Sequence, residues 1–434
     1  MTLHMRSSKG YFLLSALVTV ALAACSGGGT VPQGNARDSL LSQTLHAAHT
    51  PSYKLVILPS GLIPAKINDR GVVIGNDNNT NRGFEYKNGQ VTDLPLLPGD
   101  TVGDASDINN RGQIVGYSVN AATFDPTCVS NCVVEHAFLY DHGKVTNLGS
   151  VPPEGGLPDL VNSADRINDK GEIVGESGYP TVALQAVAIT IFSPGSVRPI
   201  VSGGSRVYGA PLGINDAGEM VGDNELGIDS FETESFAYPV AITCSPPLVS
   251  LNGDNRAINR AGSTVSQSQG NFIYCHHGVG VTLQLFADAG STLNNRGDIV
   301  GFATASSPQT AVYMRGKLYA AGKLTTAHLD TKLQTNATAG YRLGRYFISK
   351  GAVTGYVTSI NQGDALLYAC GKYYDLNNLI PNTSGLVLQE PVSINDRREI
   401  VGHSISSTGV FTAWLLVPDH LHALSLDDNN GATP

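Results

Sequence analysis

The sequence predicts an all-β protein folded as a β-propeller, and three observations lead to that prediction. The chain contains 49 Gly and 22 Pro while only 15% of its residues are charged, a composition that favours strands and turns over helical bundles. A short segment recurs along the chain. The last repeat lacks a fourth strand, and a strand that belongs to no repeat precedes the first one, so the two can complete each other. The 41% of hydrophobic residues are enough to bury a core, which excludes wholesale disorder.

Residues 1–24 have the organisation of an export signal. Arg6 and Lys9 precede an apolar stretch, Tyr11–Leu22, that is too short to span a bilayer as a helix. The following Leu22-Ala23-Ala24-Cys25 segment resembles the lipobox of bacterial lipoproteins. That resemblance implies that Cys25 is the lipidated first residue of the mature chain; ordinary cleavage before an incidental Cys25 is the open alternative.

The predicted lipid chains make the membrane a partner through the anchor alone, because acyl chains on one residue hold a protein to a bilayer without spanning it. Ser26, directly after the cysteine, implies outer-membrane sorting in a Gram-negative cell. Residues 25–50 are interpreted as the lipidated cysteine and a flexible tether, residues 51–418 as the propeller and residues 419–434 as a disordered tail.

A nine-residue segment of the type Ile-Asn-Asp-x-Gly-x-Ile-Val-Gly recurs about every 47 residues. The clear copies are Ile67–Gly75, Ile108–Gly116, Ile167–Gly175, Ile214–Gly222, Leu293–Gly301 and Ile394–Gly402, and the degenerate copies are Ile258–Ser266 and Phe347–Gly355. Each copy is typical of a β-hairpin, in which Asn initiates the turn and the first glycine adopts a positive φ. Arg398 occupies that glycine position in the last copy. The second glycine lies inside the return strand, and we interpret it as a point of close packing between units.

Each hairpin is followed by an apolar strand and then by a fourth strand, as in His136–Tyr140 and Gly143–Leu148. Four short strands in about 47 residues predict one propeller blade per copy. The sequence therefore predicts about eight four-stranded blades, with seven as the alternative if a degenerate copy is not a full blade. The last unit lacks a fourth strand, and Tyr53–Leu58 is an unassigned strand before the first hairpin. Pairing the two closes the ring and removes an exposed edge.

The repeat resembles the bacterial extracellular HAF-repeat family, named after the tripeptide His136-Ala137-Phe138 of the second unit. The resemblance extends from Tyr53 to Pro418, although only that unit has the full tripeptide. It implies export and a propeller fold, and it implies no catalytic residues because the family has no established common activity.

The cysteines and the charge balance limit the chemistry. Cys128 and Cys132, in Cys-Val-Ser-Asn-Cys, are predicted to form a disulfide that staples one loop; a redox or metal pair is the alternative. The pairing of Cys244, Cys275 and Cys370 stays open. Isolated turn aspartates and the adjacent His276 and His277 do not form a metal-ligand pattern. We predict no metal and no cofactor. We also predict no nucleic-acid partner, because the formal net charge is -9 and the chain has no basic block.

The candidate binding residues lie before the hairpin turns, on the strands expected nearest the propeller axis. They are Lys66, Asp107, Asp165, Arg166 and Arg256. They either line a water-filled channel or form a ligand site in the funnel. We favour a non-enzymatic binding or scaffolding module at the cell envelope, with an unidentified envelope protein or glycan as its partner. The alternative is a hydrolase or lyase that acts on a saccharide or peptide and uses the funnel residues.

Overall fold

The computed structural model describes a chain built from short antiparallel strands. The described residues are 51–122, 133–151, 160–180, 185–193, 196–199, 207–226, 233–238, 255–268, 271–276, 279–283, 292–293, 299–302, 311–314, 328–329, 342–349, 352–358, 363–369, 372–381 and 385–419. Within them there are strands, one 3-10 helix at Leu376–Leu379 and no α-helix. These residues belong to one compact unit, Pro51–Asp419.

The strands follow one another as antiparallel sheets of the type that form propeller blades. The first strand, β1 (Tyr53–Ile57), precedes a first sheet of β2 (Leu62–Ile67), β3 (Val73–Asp77), β4 (Arg82–Lys87) and β5 (Gln90–Asp93), and a second sheet of β6 (Val102–Ile108), β7 (Ile114–Val119), β8 (Glu135–Asp141) and β9 (Lys144–Asn147). The third sheet contains β10 (Val161–Ile167), β11 (Ile173–Pro180), β12 (Gln185–Ser193), β13 (Ser196–Pro199), β14 (Val207–Ile214), β15 (Met220–Leu226) and β16 (Thr233–Tyr238).

Three four-stranded sheets and a closing sheet make up the remainder of the described chain. The fourth sheet has β17 (Asn255–Ile258), β18 (Thr264–Ser268), β19 (Asn271–His276) and β20 (Val279–Leu283), and the fifth has β21 (Thr292–Leu293), β22 (Ile299–Phe302), β23 (Ala311–Met314) and β24 (His328–Leu329). The sixth has β25 (Arg342–Ser349), β26 (Ala352–Thr358), β27 (Gly363–Ala369) and β28 (Lys372–Asp375), and the closing sheet has β29 (Glu390–Ile394), β30 (Ile400–Ile405), β31 (Phe411–Pro418) and β1. The predicted all-β propeller fold is confirmed.

The closing sheet joins the two ends of the described chain. β1 pairs antiparallel with β31 from Tyr53 opposite Pro418 to Ile57 opposite Trp414. Tyr53 and Trp414 are both fully buried and pack in one core cluster, because the two strands present aromatic side chains to the same neighbouring sheet. The predicted closure of the ring by the N-terminal strand is confirmed.

The repeated turn owes its shape to the asparagine that begins it. The Asn68 side-chain oxygen accepts hydrogen bonds from the backbone N–H groups of Arg70 and Val72, both at 3.0 Å. The predicted positive φ is confirmed at every turn glycine that the structure describes, namely Gly71, Gly112, Gly171, Gly218 and Gly262. Gly297 and Gly351, which we predicted to share this conformation, lie outside the described residues.

The turn asparagines also connect neighbouring sheets. In five of the described repeats the asparagine donates from its side-chain nitrogen to the backbone oxygen of the asparagine in the next repeat. The described bonds run from Asn395 to Asn68, Asn68 to Asn109, Asn109 to Asn168, Asn168 to Asn215 and Asn215 to Asn259, at 2.8–3.0 Å. We call these five bonds the asparagine ring. It crosses the closure point, because the bond from Asn395 to Asn68 joins the last repeat to the first.

The second glycine of the repeat has a different role from the one we predicted. A Cβ on Gly75 would overlap the backbone oxygen of Ile63, on the adjacent strand of the same sheet. That adjacent strand, β2, carries a β-bulge between Pro64 and Lys66, directly opposite the glycine. A Cβ on Gly116 or Gly175 would likewise overlap a backbone oxygen of the adjacent strand, which also carries a β-bulge. The close approach is therefore within one sheet, because a bulge pushes the neighbouring backbone towards the glycine.

Arg398 has a φ of 64°, the left-handed conformation that the other described turns give to glycine. A Cβ in this region costs roughly 1 kcal/mol. We expect Arg398→Gly to raise the free energy of unfolding by up to about 1 kcal/mol, or to leave it unchanged if the flexibility of glycine in the unfolded chain offsets the gain. Gly171→Ala places a Cβ at the same turn position of the third repeat, where φ is 89°, and should lower the free energy of unfolding by about 1 kcal/mol. Chemical denaturation measures both; a harmless Gly171→Ala would contradict the turn assignment.

Candidate functional site

The residue that precedes the turn isoleucine faces the same cavity in three consecutive repeats. These residues are Lys66 on β2, Asp107 on β6 and Arg166 on β10. Each lies just after the β-bulge of its strand, and a bulge re-aims the side chains beside it. All three line one cavity of about 270 Å³, which we call the axial cavity.

Asp107 connects three neighbouring inner strands. Its Oδ1 accepts from the Lys66 ammonium group and from the backbone N–H of Ile108 at 2.8 Å. Its Oδ2 accepts from the backbone N–H of Ile167 at 3.1 Å. The Asp107 side chain is 4% exposed, whereas that of Lys66 is 42% exposed. The carboxylate therefore has partners for both oxygens, and its charge is compensated within the fold.

Arg166 is half-buried and is held by two backbone carbonyls. Its Nε donates to the oxygen of Leu212 at 3.2 Å, and its Nη1 donates to the oxygen of Asp165 at 2.7 Å. Among the residues that the structure describes, no carboxylate forms an ion pair with this guanidinium. The bond to Leu212 positions Arg166 across the boundary between two repeats.

The other described residues that line the cavity carry no charge. They are Ile167, Leu212, Gly213, Ile214, Ala257, Ile258 and Leu293. These residues come from the inner strands of the third, fourth and fifth sheets, β10, β14, β17 and β21. The axial cavity is therefore lined by charged side chains on β2, β6 and β10 and by uncharged residues on β10, β14, β17 and β21.

The structure brings three of the five candidate residues together, leaves Asp165 out of the described lining of the cavity, and does not describe the side chain of Arg256. Lys66, Asp107 and Arg166 share the axial cavity. Asp165 is the extra residue of the bulge between Ala164 and Arg166, and it is not among the described residues that line the cavity. Arg256 lies on β17, and its side chain is outside the described part of the chain.

Asp165 belongs instead to a second group of ionisable residues, which the sequence analysis missed. We call Asp104, Tyr117, Glu135, Asp165 and Glu176 the acidic cluster. The Tyr117 hydroxyl donates to Asp104 at 2.6 Å. Glu176 and Tyr117 each follow the second glycine of their repeats. Aligning the repeats at that position is the signal that could have indicated these two residues.

Burial gives the acidic cluster unusual protonation behaviour. Burial, reinforced by the charge of Asp165, raises the pKa of Glu135 to about 7. Burial and the charges of Asp165 and Glu135 raise the pKa of Glu176 to about 8. Burial also raises the pKa of Asp165, opposed by its hydrogen bond with Ser163 and by Arg166. At neutral pH the cluster therefore retains protons that exposed carboxyl groups would release.

We expect the protein to lose stability as the pH rises from 5 to 9. Both glutamates have an ordinary pKa of 4.5 when unfolded, so their contribution is complete below that value and is lost as the pH passes about 7 and then about 8. One pKa unit corresponds to about 1.4 kcal/mol, so the loss between pH 5 and pH 9 should be several kcal/mol, up to roughly 7 kcal/mol. Denaturation of wild type and Glu176→Gln at both pH values measures it. The variant should match wild type at pH 5 and exceed it at pH 9; parallel pH profiles would contradict the assignment.

The structure describes only some of the residues on which the sequence predictions about cysteines and membranes depend. Cys275 is fully buried and disulfide-bonded. Cys128 and Cys132, like Cys25, lie outside the described residues. In the described part of the chain no group of three or more His, Cys, Asp or Glu residues is arranged to hold a metal ion. No helix among the described residues is long and apolar enough to cross a membrane.

The fold is similar to those of several solved structures at low sequence identity. YCF48 from Cyanidioschyzon merolae has a TM-score of 0.43 at 12% identity, over 85% of this chain and 99% of that one. The β-propeller domain of the Trilobed protease from Pyrococcus furiosus has a TM-score of 0.39 at 9% identity, over 84% and 95%. TolB from Acinetobacter baumannii has a TM-score of 0.31 at 14% identity, over 79% and 83%. With TM-scores below 0.5, these likenesses carry no argument about function.

No protein-family model matches the sequence, and no curated protein matches it.

Proposed function

We propose that this chain is an exported, membrane-anchored propeller that acts as a binding or scaffolding module at the cell envelope. The observation that carries the binding role is the state of Asp107, the one described carboxylate that lines the axial cavity. Both of its oxygens have partners within the fold. A general acid or base needs a group free to exchange a proton with the substrate. The axial cavity is therefore better suited to holding a ligand than to transforming one.

The envelope location follows from the N-terminal pattern and the resemblance to the extracellular HAF-repeat family. In this proposal Cys25 carries the lipid, and Ser26 directs the protein to the outer membrane. Labelling of growing cells with a palmitate analogue tests the anchor. Wild type should carry label and Cys25→Ser should not. Equal labelling of the two proteins would exclude lipidation at Cys25.

We further propose that the ring has eight blades, with seven as the alternative. The seven-stranded third sheet supports this count, because it contains the hairpins of two repeats, β10–β11 and β14–β15. The two parts of that sheet are joined by the parallel pairing of Val187 with Tyr208. An antiparallel blade that contacts the next blade by one parallel pair is still a separate repeat unit.

A rival function, hydrolysis or elimination on a saccharide or peptide, is favoured by the acidic cluster. A carboxyl group whose pKa lies near neutrality can act as a general acid at the pH of the envelope. Glu135 and Glu176 have that property. Asp165 and Arg166 are adjacent in the chain, so the acidic cluster and the axial cavity are close neighbours.

Ligand binding and turnover by the full chain, purified in detergent, distinguish the two functions. The assay measures the melting temperature and the reaction products with a panel of saccharides and short peptides. Binding predicts that a ligand raises the melting temperature of wild type, without products, and does not raise that of Ala257→Phe, which fills the axial cavity. Products that disappear in Glu176→Gln would instead establish the rival. A wild type that responds to no ligand and yields no product would contradict both.

A further inference from the structure

The charges in the axial cavity do not balance. Lys66 and Arg166 are cations, and Asp107 is the one described anion among the lining residues. The carboxylate of Asp107 is 4% exposed and takes the Lys66 ammonium group together with two backbone N–H groups. Lys66 and Asp107 therefore compensate each other. Among the residues that line the cavity this leaves one positive charge, on Arg166, which has no described ion pair and interacts with the neighbouring Asp165 carboxyl group only outside ion-pair distance.

Arg166 also retains unused hydrogen-bond donors. A guanidinium has five N–H groups, and the described bonds of Arg166 use one on Nε and one on Nη1. The carboxyl group of the adjacent Asp165 is hydrogen-bonded to Ser163, and Asp165 does not line the described cavity. Water in the cavity can accept from these N–H groups, but it brings no charge. A ligand that supplies both acceptors and a negative charge is an anion.

We infer that the axial cavity binds a small organic monocarboxylate, held by Arg166 and assisted by the exposed part of Lys66. This inference rests on the binding role proposed above and names its ligand class. A planar carboxylate matches the fork of N–H groups on a guanidinium, which can bind both oxygens at once. A single negative charge matches the net charge of the lining residues, Lys66, Asp107 and Arg166, whereas a dianionic phosphate would exceed it.

The size of the cavity and its uncharged lining residues limit the rest of the ligand. At about 270 Å³ the cavity is below the range of about 300–1,000 Å³ that accommodates drug-sized molecules. Leu212, Ile214 and Ile258 also line the cavity and carry no charge. The ligand is thus a short acid with an uncharged body, such as a hydroxy acid or a single sugar acid, rather than a polymer.

Paired probes that differ only in charge test the inference on the full chain in detergent. The probes are lactate with lactamide, glucuronate with glucuronamide, and inorganic phosphate, each titrated by calorimetry. At least one acid should bind at least ten times more tightly than its amide, and phosphate should bind more weakly than that acid. Binding of the acid should also shift the NMR signal of the Arg166 Nε–H group in the wild-type protein.

Arginine variants separate ligand recognition from support of the fold. Arg166→Gln should weaken acid binding at least tenfold, and Arg166→Lys, which keeps the charge without the fork, should weaken it less. Arg111→Gln is the matched control and should leave binding unchanged. Arg111 also donates to a carbonyl of the neighbouring repeat, that of Lys170 at 2.9 Å, but it is exposed at the turns. If Arg166→Gln does not fold, Arg166→Lys and the wild-type NMR shift decide the question.

The possible failures are distinguishable. Amides that bind as tightly as their acids would overturn the carboxylate inference and leave the proposed binding role intact. Phosphate that binds more tightly than every acid would overturn the inference in favour of a dianionic ligand. If neither acids, amides nor phosphate bind, and the ligand panel also leaves wild type unchanged, both the inference and the proposed binding role are wrong.

Discussion

Deletion of residues 51–60 is expected to lower the melting temperature by about 10 °C. The deletion removes β1, which pairs with β31 over five residues, and it removes the buried side chains of Tyr53 and Leu58. Each large apolar side chain that is buried contributes about 1.5–3 kcal/mol. Tyr53 and Leu58, with the partly buried Leu55 and Val56, therefore contribute roughly 6 kcal/mol. In a chain of this length each kcal/mol corresponds to about 2 °C.

The effect should exceed simple loss of burial, because the deletion also opens the ring. Without β1, the outer edge of β31 has no partner for the N–H and C=O groups that now bond it. The same deletion removes the bonds from Leu58 N–H to Ala413 O and from Asp419 N–H to Ser52 O, both at 3.0 Å. Deleting residues 26–48 is the control, since it shortens the predicted tether and leaves β1 in place. Equal melting temperatures of the two truncated proteins would contradict closure by β1.

Asn109→Ala is expected to cost about 3–4 kcal/mol of unfolding free energy. The buried Asn109 side chain accepts from the N–H groups of Arg111 and Gln113 at 3.0 Å and donates to Gln113 Oε1 and to the backbone oxygen of Asn168 at 2.9 Å. Each such bond contributes about 1 kcal/mol, and buried groups left without a partner add to the cost. Urea denaturation measures the loss.

A single exposed asparagine provides the control for this substitution. Asn147 makes one described side-chain bond, accepting from the N–H of Gly149 at 2.7 Å, and is exposed to solvent. Asn147→Ala should therefore cost 1 kcal/mol or less. If Asn109→Ala costs no more than Asn147→Ala, the asparagine ring does not stabilise the propeller.

The turns and the closure were predictable from the sequence because both depend on local chemistry. Asparagine and glycine at fixed positions specify the turn, and Gly112 or Gly171 needs no long-range information to adopt a positive φ. The last repeat lacks a fourth strand and the first strand belongs to no repeat. Their pairing could be predicted because the repeat pattern leaves no other partner for either. The bonds between repeats, such as that from Asn109 to Asn168, could not be predicted, since they depend on how adjacent sheets pack.

The β-bulges explain why the candidate site was only partly predictable. Side-chain alternation along β10 places Asp165 and Arg166 on opposite faces, but it does not indicate which of the two faces the cavity. In the structure the register shifts between Ala164 and Arg166, so Asp165 is the extra residue and Arg166 takes the place that Asp107 has on β6. A bulge changes the direction of every side chain beyond it. Gly175 lies opposite the bulge on the paired strand, and it indicates the position of the bulge only once the pairing of the two strands is known.

Hydrogen–deuterium exchange of the intact full-length protein tests the closed ring most directly. The amides of residues 53–58 should be protected as strongly as those of their partner strand, residues 411–418, because both sets are bonded in the closing sheet. Residues 26–48, the predicted tether, should exchange at the rate of an unstructured peptide. Exchange of residues 53–58 as fast as that of residues 26–48, while residues 411–418 stay protected, would contradict the account.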